Sequence, residues 1–193
     1  MNKIIEKKAI TSNKYLYLLG FFGFLLIASA ILRVLTPDTS SAENTWQEIT
    51  PGKNSIVDVE KKLGSPIGVT QYSEYSVLQY DSPFPTMPHE VAIDKNNLVV
   101  FIKEYLSYDE NHKIDQYLDQ YQETDLELFA PMISEAVKAH VFLEEGLVII
   151  AHMQNGAVEQ KWYFVPTDKE VFVKSWEKEL TQIQRGPDRL ITR

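Results

Sequence analysis

The side chains best suited to binding a transition metal are four histidines, His89, His112, His140 and His152. A zinc site needs three or four converging ligands, and the chain contains no cysteine. His140 and His152 lie in neighbouring predicted strands. A two-residue Glu145-Gly146 loop would pair His140 with Ala151 and His152 with Ala139, which places the two imidazoles on opposite faces of the sheet. A loop with an odd number of residues would place them on the same face. We therefore predict no metal site and interpret the histidines as surface groups near strand ends.

A second candidate for metal chemistry is the polar stretch that contains Asp109, Asn111 and Asp115, which is similar to the start of a calcium-binding loop. Such a loop needs an oxygen ligand where Lys113 stands and a glycine where Ile114 stands. The acids near the start of the following helix complement its dipole instead. No calcium site is predicted.

The chain contains no local sequence motif for nucleophilic catalysis or for nucleotide binding. Ser134 and Ser175 do not lie in a G-x-S-x-G turn, and none of the eight glycines forms a phosphate-binding loop. Catalytic triads assemble from distant segments, so an unrecognised hydrolase stays an alternative. We predict no enzymatic activity, no catalytic residue and no cofactor.

The charge of the chain is unevenly distributed. The net charge is −8, but residues 1–35 hold five basic residues and one acid, a net +4, which leaves −12 for residues 36–193. An acidic domain repels the phosphates of nucleic acid, so no nucleic-acid partner is predicted. The division indicates that the two parts lie in different surroundings.

Residues 15–35 are almost entirely apolar and long enough, at about twenty residues, to span the ~30 Å hydrocarbon layer of a bilayer. Four lysines precede the span, so the positive-inside rule predicts a single-pass cell-membrane protein. Residues 1–14 are then a cytoplasmic basic N-terminus, 36–44 a linker reaching roughly 15–18 Å, and 45–193 an extracytoplasmic domain.

The alternative for this segment is a secretory signal peptide. Ala28-Ser29-Ala30 has the small-residue pattern of a cleavage site after an apolar stretch. Against cleavage, the apolar run continues through residues 31–35. If cleavage does occur, the product is a secreted binding protein.

The outer domain alternates helical and extended patterns. Ser55 and Asp58 have the spacing of a capping box before a helix over 56–63, which Gly64 ends. A second helix is predicted over 113–121, and a third begins at Thr167. Phe172, Trp176 and Leu180 of the third helix share one face and should pack on a sheet.

The extended patterns predict an antiparallel sheet, because turn residues separate them closely. Asn155-Gly156 is the strongest hairpin signal, and residues 94–97 form another turn. The predicted strands lie near residues 68–72, 76–80, 89–93, 98–106, 139–143, 147–153 and 158–165.

The order of helix, strands, Asn-containing turn and strand occurs twice, with an offset of about 58 residues. This suggests two repeated units, with halves 49–106 and 109–182. Few identities support the repeat, so an ordinary α+β order remains the alternative.

The stretch over residues 49–69 resembles the opening of the outer-membrane assembly lipoproteins of the BamE (SmpA/OmlA) family. The resemblance lies in a glycine, a short helix and then a Leu-Gly-x-Pro motif, at Gly52, Val59, Leu63, Gly64 and Pro66. The resemblance implies an α+β fold with short helices packed on an antiparallel sheet, BamE-like or BLIP-like, that binds proteins. The chain departs from the family because it lacks the lipidated cysteine and carries a membrane span instead.

Aromatic residues are concentrated in the predicted strands, where alternate side chains face outward. We predict a candidate interaction surface made of Tyr72, Tyr80, Trp162 and Phe164. The preferred function is a non-catalytic module that binds another envelope protein, with lipid contact through residues 15–35. The alternative is a sensor or carrier domain that holds a small ligand between helices and sheet.

Overall fold

The computed structural model describes residues 44–107, 112–121 and 123–182. The predicted cytoplasmic segment 1–14, the membrane span 15–35, nearly all of the linker 36–44 and the tail after residue 182 lie outside the described residues. Within the described part of the chain, no helix is both long and apolar enough to cross a membrane.

The architecture is one eight-stranded antiparallel sheet with the strand order β1-β2-β3-β4-β8-β7-β6-β5. The first four strands form one meander and the last four form another, and β4 pairs with β8 to join them. The strands are β1 (Gly68–Gln71), β2 (Tyr75–Tyr80), β3 (His89–Asp94), β4 (Val99–Tyr105), β5 (Leu126–Phe129), β6 (Val137–Phe142), β7 (Leu147–His152) and β8 (Val158–Phe164).

The predicted fold class is wrong. The described residues form a single continuous sheet with 40% of them in strands and only 17% in three short helices, and not a BamE-like or BLIP-like α+β fold. The error has a physical cause: β5 was not recognised, and β4 hydrogen-bonds to β8, which joins all eight strands in one sheet. Strand pairing between distant segments leaves no local mark in a sequence.

The helices are α1 (Ile56–Leu63), α2 (Ile114–Tyr121) and α3 (Lys169–Ser175). The capping box of α1 is confirmed: the Ser55 backbone N–H donates to the Asp58 carboxylate at 2.8 Å, and the Asp58 N–H donates to Ser55 Oγ. For α3 the predicted cap is wrong by one residue, since Asp168 and not Thr167 accepts the N–H of Val171, at 2.9 Å.

Both faces of the sheet are buried, each against different helices. On the front face, α1 and α2 cover a core that includes Val59, Leu78, Ile102 and Tyr163. On the back face, α3 covers a core whose large side chains are Phe164, Phe172, Trp162, Trp176 and Leu180. The expectation that Phe172, Trp176 and Leu180 pack on the sheet is confirmed.

Polar atoms inside the front core are not all satisfied. The hydroxyl of Tyr80 is buried without a hydrogen-bond partner, and Nδ1 of His140, on β6, also has none, since the Glu127 carboxylate lies 3.8 Å away, beyond hydrogen-bond distance. By contrast, the hydroxyl of Tyr163 donates to the Glu104 carboxylate at 2.6 Å. An unpaired buried polar atom costs free energy, so these three sites affect stability differently.

We predict that Tyr80→Phe leaves the free energy of unfolding unchanged or raises it by about 1 kcal/mol, because it removes an unpaired hydroxyl. Tyr163→Phe is the matched control on the same face. It should lower stability by about 1.5 kcal/mol, because it deprives Glu104 of its donor. Urea unfolding of the full chain checks both values. Equal losses in the two variants would contradict the interpretation.

Burial lowers the pKa of His89 and of His140 below the ordinary histidine value, and nearby glutamates only partly oppose this. Both rings are then neutral in the folded and unfolded chain above about pH 7.5. Below the ordinary pKa the unfolded chain binds protons that the folded chain refuses, so stability decreases as the pH falls.

We therefore expect the free energy of unfolding to fall between about pH 7.5 and pH 5.5, above the range in which most carboxylates titrate. His140→Leu should make this pH dependence shallower and should also remove the unpaired Nδ1. Urea unfolding at several pH values measures both effects. A slope that is the same in the variant would show that His140 does not contribute.

Candidate binding groove

A groove with a volume of about 700 Å³ lies on the back face, between α3 and the strands β2, β3 and β4. It forms because α3 covers the part of that face near β8 and leaves the neighbouring strands partly uncovered. The lining side chains share apolar or aromatic character, apart from a few charges at the wall and rim. The principal ones are Tyr72, Tyr75, Val77, Glu90, Phe101, Lys103, Val171, Ser175, Trp176 and Glu179.

Aromatic rings form a continuous run along the groove. Tyr72 stacks on Tyr75 with ring centroids 4.9 Å apart and an interplanar angle of 28°. Tyr75 meets the edge of Phe101 at 5.5 Å, and Phe101 meets Trp176 of the α3 end at 5.2 Å. Such pairs stabilise each other beyond the area that they bury, so the wall is held in a defined shape.

Lys103 is the cation at the centre of this aromatic wall. Its Nζ lies 4.7 Å from the ring centroid of Trp162, 5.4 Å from that of Trp176 and 5.7 Å from that of Phe101. Its side chain is only 15% exposed, and the carboxylate of Glu90, its partner in the β3–β4 register, lies 4.0 Å away. A partly desolvated ammonium gains about 2 kcal/mol from aromatic faces, so Lys103 fastens α3 to the sheet.

Electrostatics at the rim are set by tyrosine hydroxyls near carboxylates. Burial raises the pKa of Tyr75, and the neighbouring Tyr72, Glu179 and Glu90 raise it further. Tyr105, on the same strand as Lys103, does not line the groove; burial and the charge of Glu90 raise its pKa to about 12. Both phenols are therefore neutral hydrogen-bond donors at physiological pH.

The four residues of the sequence-based interaction surface do not form one exposed face. Tyr72 is 54% exposed and lies at the rim of the groove. Trp162 and Phe164 are buried in the back core, where Trp162 contacts Lys103 and Phe164 lines the groove floor. Tyr80 is buried in the front core, on the other side of the sheet. Two of the four, Tyr72 and Phe164, thus line the groove, and only Tyr72 is exposed.

Sequence reasoning missed Tyr75, Lys103 and Val171 as groove residues. Alternation within β4 could have placed Phe101 and Lys103 on one face, since residues two apart along a strand share a side. The helical period of 3.6 residues also separates the exposed Val171 from its buried neighbour Phe172 on α3. No local pattern in the sequence predicts that α3 lies over β4 and β8.

A smaller groove of about 510 Å³ contains Lys138, His140, His152 and Asp115. The register pairs His140 with Ile149 and Val137 with His152, so the predicted pairing was displaced by two residues, because residues 143–146 form a longer loop than expected. His152 Nε2 lies 2.9 Å from the Glu159 carboxylate. No group of three or more potential metal ligands occurs in the described residues.

Comparisons with known proteins identify no family for the chain. No family model matches it, and no curated protein matches it. A solved structure that matches is the crystal structure of a DUF4309 family protein, YjgB, from Bacillus subtilis subsp. subtilis str. 168. The match has a TM-score of 0.43 and 12% sequence identity, and it covers 62% of this chain and 84% of that chain. A likeness this weak supports no statement about function.

Proposed function

We propose that the protein is a membrane-anchored, non-catalytic module whose back-face groove binds a segment of another envelope protein. The observation that carries this proposal is an open groove with a fixed aromatic wall and exposed apolar side chains on both banks. Tyr72 lies on one bank, and Val165 and Val171 lie on the other. Exposed aromatic and apolar residues of this kind are the usual anchors of protein recognition.

The wall is suited to binding because it is rigid before the partner arrives. Lys103 contacts three rings at once, and Phe101 and Trp176 pack edge to face, so little side-chain entropy remains to be lost on binding. Tyr75, whose pKa is raised by burial, adds a neutral hydroxyl donor at the rim. Together these features provide an apolar contact surface with polar groups at its margin.

The placement of the module rests on the sequence. Residues 15–35 are the proposed membrane span, with the N-terminus cytoplasmic and the acidic domain outside. A partner in the cell envelope, either integral or membrane-associated, would then be within reach.

A second candidate function is the binding of a small ligand. The volume of about 700 Å³ is in the range of ligand sites, and Lys103 and Glu90 supply converging charges. The exposed banks favour a macromolecular segment over an enclosed small molecule, because a small ligand is usually buried on most sides.

We expect a photo-crosslinking amino acid at Tyr72, in the full chain in intact cells, to form an adduct with one partner protein. The same probe at Val57, exposed on α1 at the front face, should not trap that partner. Ser175→Trp, which fills the groove, should lower the Tyr72 adduct at least about fivefold. Lys174→Trp is the matched control, since Lys174 is exposed beside Ser175 but does not line the groove.

Equal adducts from positions 72 and 57, or an adduct that Ser175→Trp leaves unchanged, would contradict binding in the groove. Loss of the adduct when a small organic anion is added to the cells, without any change in partner abundance, would favour the small-ligand function instead. Circular dichroism of each purified variant verifies that the sheet is intact.

A further inference from the structure

The two edges of the described sheet differ in how they are protected. At one edge, the backbone of Phe129 in β5 exchanges hydrogen bonds with Thr181 at 2.7 and 2.9 Å, so a segment after α3 covers that edge. At the other edge, β1 pairs with β2 alone among the described strands. Among the described residues, the β1 edge therefore presents main-chain groups with no strand beside them.

The register identifies which groups these are. The N–H of Tyr72 donates to the carbonyl of Tyr75 at 2.9 Å, which makes Tyr72 and Tyr75 a hydrogen-bonded pair of the hairpin. Since such pairs alternate in an antiparallel ladder, Thr70 and Val77 form the next one. The N–H and C=O groups of Val69 and Gln71 consequently point away from β2, toward the unpaired side.

The β1 edge is short, at four residues, but it lacks the charged residues and prolines that keep edge strands apart. Natural edges carry charges, prolines or bulges that prevent the addition of another strand. The sequence Gly68–Gln71 has no charged residue and no proline, and the side chains of Ile67 and Val69 are 61% and 52% exposed. An uncharged edge with exposed β-branched residues favours pairing with an extended chain.

The β1 edge is continuous with the groove. Thr70 lies opposite Val77, which lines the groove, and Tyr72 at the end of β1 forms its rim. Side chains alternate between the two faces of a strand. An extended segment beside β1 would therefore direct every second side chain toward the back face at the Tyr72 rim, and the others toward Ile67 and Val69.

We propose that the partner of the groove binds by strand addition, as an extended segment with alternating apolar residues that pairs with β1 as a ninth strand of the sheet. This inference rests on the proposed function and specifies its mode of recognition. Unpaired main-chain donors and acceptors are complementary to an extended backbone, which is why the occupant is a strand and not a helix. The charge of −12 over residues 36–193 favours a segment that is neutral or basic.

A second copy of this chain fits the edge less well. Two β1 strands related by a two-fold axis would pair over only about four residues a side, and an edge of that length does not by itself provide a stable interface for any partner. Such a pair would also leave both grooves empty, because the copies meet at their edges. An extended segment of a different protein can occupy the edge and the groove rim together.

The test uses the full chain in intact cells with the photo-crosslinking residue at position 72. Gln71→Pro removes an outward N–H and is tolerated where that group faces no neighbour, so it should lower the adduct at least about fivefold. Gln71→Val keeps the N–H and is the matched control, expected to leave the adduct within about twofold. Val69→Lys, which adds an edge charge, should also lower the adduct, and Val69→Thr should not.

The outcomes separate this inference from the proposed function. If the adduct persists in Gln71→Pro and Val69→Lys but disappears in Ser175→Trp, groove binding stands and strand addition is overturned. If the adduct proves to join two copies of this 22.2 kDa chain, the hetero-partner is overturned. If no variant, including the parent, gives an adduct, both proposals fail. Thermal unfolding of Gln71→Pro and Val69→Lys verifies that each variant folds.

Discussion

The pairing of β4 with β8 is the contact on which the rest of the described structure depends. It brings Ile102 opposite Tyr163 for the front core and Lys103 opposite Trp162 for the back core. Without this pairing each meander would have an unprotected inner edge and no neighbour for its apolar residues. The hydrogen bond between Tyr163 and Glu104, which are 59 residues apart, lies on the front side of the same pair.

The groove follows from an unequal covering of the two faces. Two helices of eight residues cover the front face, but the seven-residue α3 is the corresponding helix on the back. It packs Phe172 and Trp176 over β8 and its neighbours and does not reach far across β2 and β3. The uncovered strip carries Tyr75 and Phe101, which are large enough to shield the strand backbones without a helix. A back face that is only partly covered is thus stable and at the same time available for binding.

Local signals in the sequence were sufficient for helix α1 and for the turn between β7 and β8. The Ser55–Asp58 capping box and the Asn155-Gly156 turn depend on neighbours along the chain, and both occur where expected. The short β5 was not predicted, because four residues give too little alternation to distinguish a strand from a loop. The sheet order also escaped prediction, since it is decided by contacts between distant segments.

The same limit explains the outcome at the site. Alternation showed that half of the aromatic residues face each side, but not that helices cover both sides, so Trp162 and Tyr80 were placed outside when they are buried. Residues that hold the groove wall and exposed residues at its banks are therefore adjacent yet different in role. Lys103 and Trp176 connect α3 to the sheet, so their loss would change stability and binding together. Tyr72 is exposed at one bank but also stacks on Tyr75, whereas Val171 is exposed at the other bank and is not one of the stacked rings, so a substitution of Val171 changes the bank without altering the wall.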